Sequence, residues 1–337
     1  MTRNGRGVLA FKLVLLIGVL VAIVWAGTKL DWRAVGREIG TASLPAMLGM
    51  AIAWVAALFI RPMRLLLLLR ALTEGSARSY WNVWAADILA MATNSILPMR
   101  AGDMMMAFVL RQHRDERTAS VFSVVMVDRL FDLALVIVMF VATLSFAPTV
   151  APWATDLQVS LVVALVGLAV LGWFAIRMRD VVLNWVRRAL TRGGEDQASR
   201  WLDRVRDLFA GLAVVDRPVV LAPVVLLSIA LWAATTLSYW FAIHAIWPSI
   251  SLAGAAYAAA AVALSFVVPL TPGGLGVFHA AAVLALSLFG VPAEPALAFA
   301  IVMHAFQLGS VLMLAVVALL CQGISVRALA FVRNSAS

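Results

Sequence analysis

Three charged residues, Asp128, Arg129 and Asp132, stand inside the otherwise apolar run 118–147. Asp128 and Asp132 are four apart and so share one helix face, with Arg129 turned about a quarter of the way round. They fall about 10–14 residues into the run, about 15–20 Å along a helix axis. A charge at that depth in hydrocarbon costs a few kcal/mol and marks a candidate for function. Two chemistries are open: an ion-pair network with Arg100 or Arg61, or a proton relay along the carboxylates. Arg100 and Asp103 stand at a break, Leu97-Pro98-Met99-Arg100-Ala101-Gly102-Asp103. The planar fork of Arg100 suits a phosphate or carboxylate, with Asp103 as its partner when no ligand is bound. An ion pair that only locks the turn is the alternative. In the last apolar run His304 and Gln307, at i and i+3, sit at the matching depth. His304 there is either a hydrogen-bonding residue or a titrating one.

A second break, Val268-Pro269-Leu270-Thr271-Pro272-Gly273-Gly274-Leu275-Gly276, separates the apolar arms 253–267 and 277–290. Its prolines and glycines cannot continue a helix comfortably. Each arm has about 14–15 residues, and a crossing needs about 20. The break therefore falls at the tip of two half-helices, where irregular backbone is tolerated if buried in protein or lining a cavity. A tight loop between two short buried helices is the plainer reading. Thr271, Gly273 and Gly274 could offer backbone N–H groups to a headgroup, with Pro98, Gly102, Pro269, Pro272 and Gly276 shaping or gating the turns. His279, three residues beyond the tip, could reach a headgroup or simply cap the loop.

Composition bounds the class. The chain has 337 residues, is 64% hydrophobic and has a mean hydropathy of +1.00, which places it among polytopic membrane proteins. Its single cysteine, Cys321, excludes an internal disulfide. Four scattered histidines lack metal-ligand spacing, and nothing in the sequence calls for a cofactor. The net charge of +9 points to cytoplasmic loops facing anionic lipid, not to nucleic acid. No nucleophile elbow, catalytic Ser/His/Asp set or Walker lysine is present, so no enzyme activity is expected.

In chain order, residues 8–28 form a first apolar segment, read as a retained helix with a signal peptide as the alternative. Residues 29–43 read as a short loop. Residues 44–70 form a second span, with Arg61 and Arg64 in its last turns, where they would snorkel to the interface. The short arms around Pro98 have basic residues at both ends, which fits a hairpin entering and returning on the cytoplasmic side. Residues 118–147 and 157–176 span. The basic segment 177–217 is either an amphipathic surface helix or a solvated linker. Residues 218–247 span outward, and the second hairpin follows. Glu294 and Pro295 fall in an external return loop, and 296–322 span inward.

The halves 8–147 and 157–322 thus read alike: span, span, hairpin, span. The first begins in the cytoplasm and the second outside, which is an inverted-topology duplication. The breaks align faintly, Pro98 on Pro272 and Gly102 on Gly276. The fold expected is one all-α integral membrane domain, 1–337, with six transmembrane helices, two opposed re-entrant hairpins and both termini cytoplasmic.

Three segments carry a family resemblance: Asn94 to Asp103, Asp128-Arg129-Leu130-Phe131-Asp132, and Pro269 to Gly276. They resemble the transmembrane region of lysylphosphatidylglycerol synthases, a family of flippase-like bacterial and archaeal membrane proteins, over about residues 8–325. In the two-domain synthases this region is linked to moving the aminoacylated lipid, and a soluble domain does the aminoacyl transfer. The chain ends at Ser337 without room for that domain, so the resemblance implies transport rather than synthesis. Asp103 and His279 stand where the family commonly shows Glu. The change at His279 argues against a cationic lysyl-lipid and fits an anionic or neutral headgroup better. The resemblance implies a lipid translocase in the bacterial inner membrane, with a phospholipid, a polyprenyl-phosphate-linked lipid or a hopanoid or glycolipid as substrate. Lipid biosynthetic enzymes are possible partners. A membrane-embedded transferase using Asp128 or Asp132 as base, and a non-transporting partner of a biosynthetic complex, are the competing classes.

Overall fold

A computed structural model describes residues 31–72, 79–96, 101–112, 118–148, 152–178, 181, 184, 217–267 and 271–322. The expected first span and most of the basic segment 177–217 lie outside these residues, as do Pro98, Arg100 and Pro269. Helices account for the regular structure, and no strand occurs among the described residues.

Helix α1 (Trp32–Gly40) corrects the expectation of a loop over 29–43. Asp31 caps it, its Oδ1 accepting from the backbone N–H of Arg33 at 2.9 Å and of Ala34 at 3.2 Å. Val35 is its buried contact, facing the second of the two cores described below. The long helices are α2 (Leu44–Leu72), α5 (Thr118–Leu144), α6 (Pro152–Arg177), α7 (Pro218–His244) and α10 (Ala293–Gln322). Three of these, α2, α7 and α10, are long and apolar enough to cross a membrane. Helix α5 has 27 residues but carries Asp128, Arg129 and Asp132. Glu294 and Pro295 belong to the first turn of α10, not to a return loop.

The two breaks sit between paired short helices. Helices α3 (Tyr80–Ile96) and α4 (Ala101–Gln112) pack on each other across the first. Helices α8 (Leu252–Ser265) and α9 (Val277–Ser287) do the same across the second. At 17, 12, 14 and 11 residues, each is shorter than the ~20 residues of a crossing. Gly102 lets α4 close on α3: a methyl group there would overlap the Ala90 carbonyl. Its N–H donates to Asn94 Oδ1 at 2.8 Å. Small residues serve α8 likewise, where Ala255, Ala258, Ala259 and Ala260 are buried.

Most contacts among α2–α5 and α7–α10 come in matched pairs, with α7 on α5 as an addition. Helix α2 packs on α3 and α5, and α7 packs on α8 and α10. Helix α4 packs on α5, and α9 on α10. Across the molecule, α3 packs on α10 and α8 on α5, while α2 and α7 pack on each other. Exchanging α2 with α7, α3 with α8, α4 with α9 and α5 with α10 leaves this pattern unchanged. The cores follow it. One gathers around α3 and α4 and is closed by Val311, Ala315 and Ala318 of α10. The other gathers around α8 and α9 and is closed by Val136, Phe140 and Leu144 of α5.

Candidate functional site

Arg64 is wholly buried, and this corrects the expectation that it snorkels. Helix α2 continues to Leu72, so Arg64 lies two turns inside it. Each of its guanidinium nitrogens has an acceptor. Nε donates to Asp128 Oδ1 at 2.7 Å, and Nη1 donates to Asp132 Oδ1 at 2.7 Å and to Ser228 Oγ at 3.1 Å. Nη2 donates to the Asp128 carbonyl at 3.3 Å. The four-residue spacing of the two aspartates is what presents both carboxylates to one arginine.

Arg129 leaves α5 in another direction and meets four acids. Its Nε donates to Asp103 Oδ1 at 3.2 Å, and its Nη2 lies 3.7 Å from Asp87 Oδ1. Its Nη1 lies 3.5 Å from Asp128 Oδ2 and 3.6 Å from Asp132 Oδ2, without hydrogen-bond geometry. Arg61 pairs with Asp87 at 3.5 Å. The network therefore ties α2, α3, α4 and α5 together. Asp103 belongs to it, through Arg129. Asp87 and the buried Arg64 are the members that sequence reasoning missed. The signal for Asp87 was present, an acid inside the apolar run that became α3.

A cavity of about 460 Å³ opens beside this network. Arg61, Arg129 and Asp132 form its charged edge, and Trp54, Trp232, Tyr239 and Gln307 add further polar atoms. Most of the wall is aliphatic, from α2, α5, α7 and α8. Leu130, Phe266 and Val267 line it and are also exposed, at 38, 37 and 47%. The cavity thus reaches the apolar outer surface of the bundle beside these residues.

Polar residues at and beside the cavity stand at matching positions in the two halves. Trp232, Tyr239, Gln307 and Ser310 each follow Trp54, Arg61, Arg129 and Asp132 by 178 residues. Trp54 Nε1 donates to Ser310 Oγ at 3.0 Å, and Trp232 Nε1 donates to Asp132 Oδ1 at 3.3 Å. Tyr239 and Gln307 both line the cavity, and their counterparts Arg61 and Arg129 both approach Asp87.

The second tip is held by backbone contacts. Pro272–Gly274 forms a 3-10 turn with positive φ at Gly273 (61°) and Gly274 (71°), and Gly276 follows at 79°. Such angles favour glycine. Thr271 Oγ1 donates to the Leu275 carbonyl at 2.9 Å. His304 Nε2 lies 3.0 Å from the Gly273 carbonyl, the hydrogen-bonding role rather than a charged pair. His279 stands beside His304, ring centres 5.1 Å apart. The tip rests on the end of α3: a methyl group on Gly273 would come within 3.0 Å of the Ser95 carbonyl. The second tip therefore meets the C-terminal end of α3. Of the residues expected at the headgroup, Asp103 is drawn into the ion network. Thr271, Gly273, Gly274 and His279 build the tip and do not line the cavity. His304 turns to the Gly273 carbonyl, and Gln307 shares the cavity lining with Arg61, Arg129 and Asp132. Among the described residues no three His, Cys, Asp or Glu side chains are placed to hold a metal ion.

Long apolar helices around a buried ion network define a multi-pass α-helical membrane protein. The chain belongs to the family described as the lysylphosphatidylglycerol synthase TM region, whose model matches residues 9–315. No curated protein matches it.

Proposed function

We propose that this protein is a lipid translocase, moving a polar-headgroup lipid between the leaflets of the bacterial inner membrane. In this reading six helices span, the two hairpins enter from opposite faces, both termini are cytoplasmic, and the halves form an inverted repeat. The matched helix contacts and the lining pairs 178 residues apart support the repeat. The observation that carries the function is the cavity: a charged and polar edge for a headgroup, an aliphatic wall for chains, and an apolar exit at Leu130, Phe266 and Val267. Family membership agrees with a role in lipid handling. A transferase would need Asp128 or Asp132 as a free base, yet both accept hydrogen bonds from Arg64 at 2.7 Å. Arg100, at the first break, is a further headgroup contact in this proposal.

The test is transfer in liposomes containing only the purified chain and a headgroup-labelled phospholipid. An impermeant reductant reads how fast inner-leaflet label reaches the outside. The chain should accelerate transfer. Thr235→Trp, which fills the cavity from α7, should abolish the acceleration, and so should Arg100→Ala. Transfer no faster than in empty liposomes would sink the proposal.

A further inference from the structure

Arg61 and Arg64 sit three residues apart on α2 and are treated in opposite ways. Arg64 makes four hydrogen bonds and is sealed from the cavity. Arg61 lines the cavity, and its buried Nε has no hydrogen-bond acceptor. Its nearest acid is Asp87 Oδ1 at 3.5 Å. Arg129 also lines the cavity, and its Nη1 likewise has no acceptor in hydrogen-bond geometry. Both guanidinium groups approach the same oxygen, Asp87 Oδ1, from α2 and α5. Asp87 is 1% exposed, and its Oδ2 has no hydrogen-bond partner. An interior that leaves two arginines short of hydrogen bonds is incomplete without a further acceptor.

We propose that Arg61 and Arg129 form an anion site for the phosphate group of a lipid headgroup, so that the transported lipid is one that bears a phosphate. The proposal rests on the translocase reading and adds the residues that hold the headgroup phosphate. Two guanidinium forks converging from different helices suit a group that offers several acceptor oxygens. Arg61 carries the larger share, because Arg129 is already ringed by Asp87, Asp103, Asp128 and Asp132. Asp87 acts as the resident counter-anion, held in ion pairs without a hydrogen bond, so ligand phosphate can take over the arginine donors. Tyr239 and Gln307, also in the lining, add neutral polar groups without a second charge. The acyl chains lie along the aliphatic wall and leave past Leu130, Phe266 and Val267.

Equilibrium binding to the full chain in uncharged detergent tests this. The probes are phosphatidylglycerol, diacylglycerol with the same chains, and inorganic phosphate as competitor. The wild type should hold phosphatidylglycerol about tenfold or more tightly than diacylglycerol. Arg61→Gln should remove that preference, and Arg61→Lys, which keeps charge without the fork, should retain part of it. Inorganic phosphate should not displace the lipid. Equal binding of the two lipids by wild type, or an unchanged preference in Arg61→Gln, would overturn the site. Displacement by inorganic phosphate as effective as by phosphatidylglycerol would also overturn it, in favour of a free-anion site. Should Arg61→Gln fail to fold, the wild-type comparison still decides. Leaflet transfer without a binding preference would remove this site and leave the translocase. Preferential binding without transfer would do the reverse.

Discussion

The N-terminal and C-terminal halves use one packing plan and opposite chemistry. Where the first half places Arg61 and Arg129 at the cavity, the second places Tyr239 and Gln307 at the equivalent positions. The first hairpin is pinned by charge, Asp87 and Asp103 reaching arginines on α2 and α5. The second is pinned by backbone, through His304 on Gly273 and Thr271 on Leu275. Packing of small and aliphatic residues therefore sets the shape of both halves, and charge is added on one side only. A pocket with a single charged edge orients an amphipathic ligand, headgroup toward the arginines.

Substitutions can break this contrast, beginning with the largest effect. Arg64→Leu strands Asp128 and Asp132 in the interior and should cost about 3–5 kcal/mol, read as thermal unfolding in detergent. Loss of less than about 1 kcal/mol would mean that charge does not hold the first half together. Gly102→Ala forces a methyl group into the Ala90 carbonyl and should cost about 1–3 kcal/mol, with faster hydrogen exchange in α3 and α4. At the second tip, Gly273→Ala meets both the positive φ of 61° and the Ser95 carbonyl. It should cost about 1–2 kcal/mol. The smallest effect belongs to His304→Ala, one lost hydrogen bond, about 1 kcal/mol. Its signature is faster exchange confined to 271–277, with global unfolding little changed. If His304→Ala unfolds the protein as Arg64→Leu does, the two halves are not held by different means.

Much of this was legible in the sequence, because the signals were local. The breaks at Pro98 and Pro272 follow from proline and glycine, and the shared face of Asp128 and Asp132 follows from helical spacing. What escaped depended on partners far along the chain. Arg64 looked like a helix-end residue because nothing local announces that Asp128, Asp132 and Ser228 will surround it. Asp87 was absorbed into an apolar run, although the rule applied to Asp128 fits it equally. The equivalent positions at and beside the cavity share residue identity only at Trp54 and Trp232, so no identity search along the chain reveals the other three pairs. Helix α1 was hidden because its cap, Asp31, stands among basic residues that read as a loop.

The central claim is that the second tip meets the end of α3 inside the bilayer. Spin labels at Ile96 and Leu275, both exposed beside their tips at 63 and 58%, test it most directly. Replacing Cys321 by serine removes the one native thiol. In liposomes, both labels should be shielded from a water-soluble nickel reagent and should sit at similar depth, far from either headgroup layer. Free access of the nickel reagent to both labels, at the level of a solvent-exposed loop, would contradict the account.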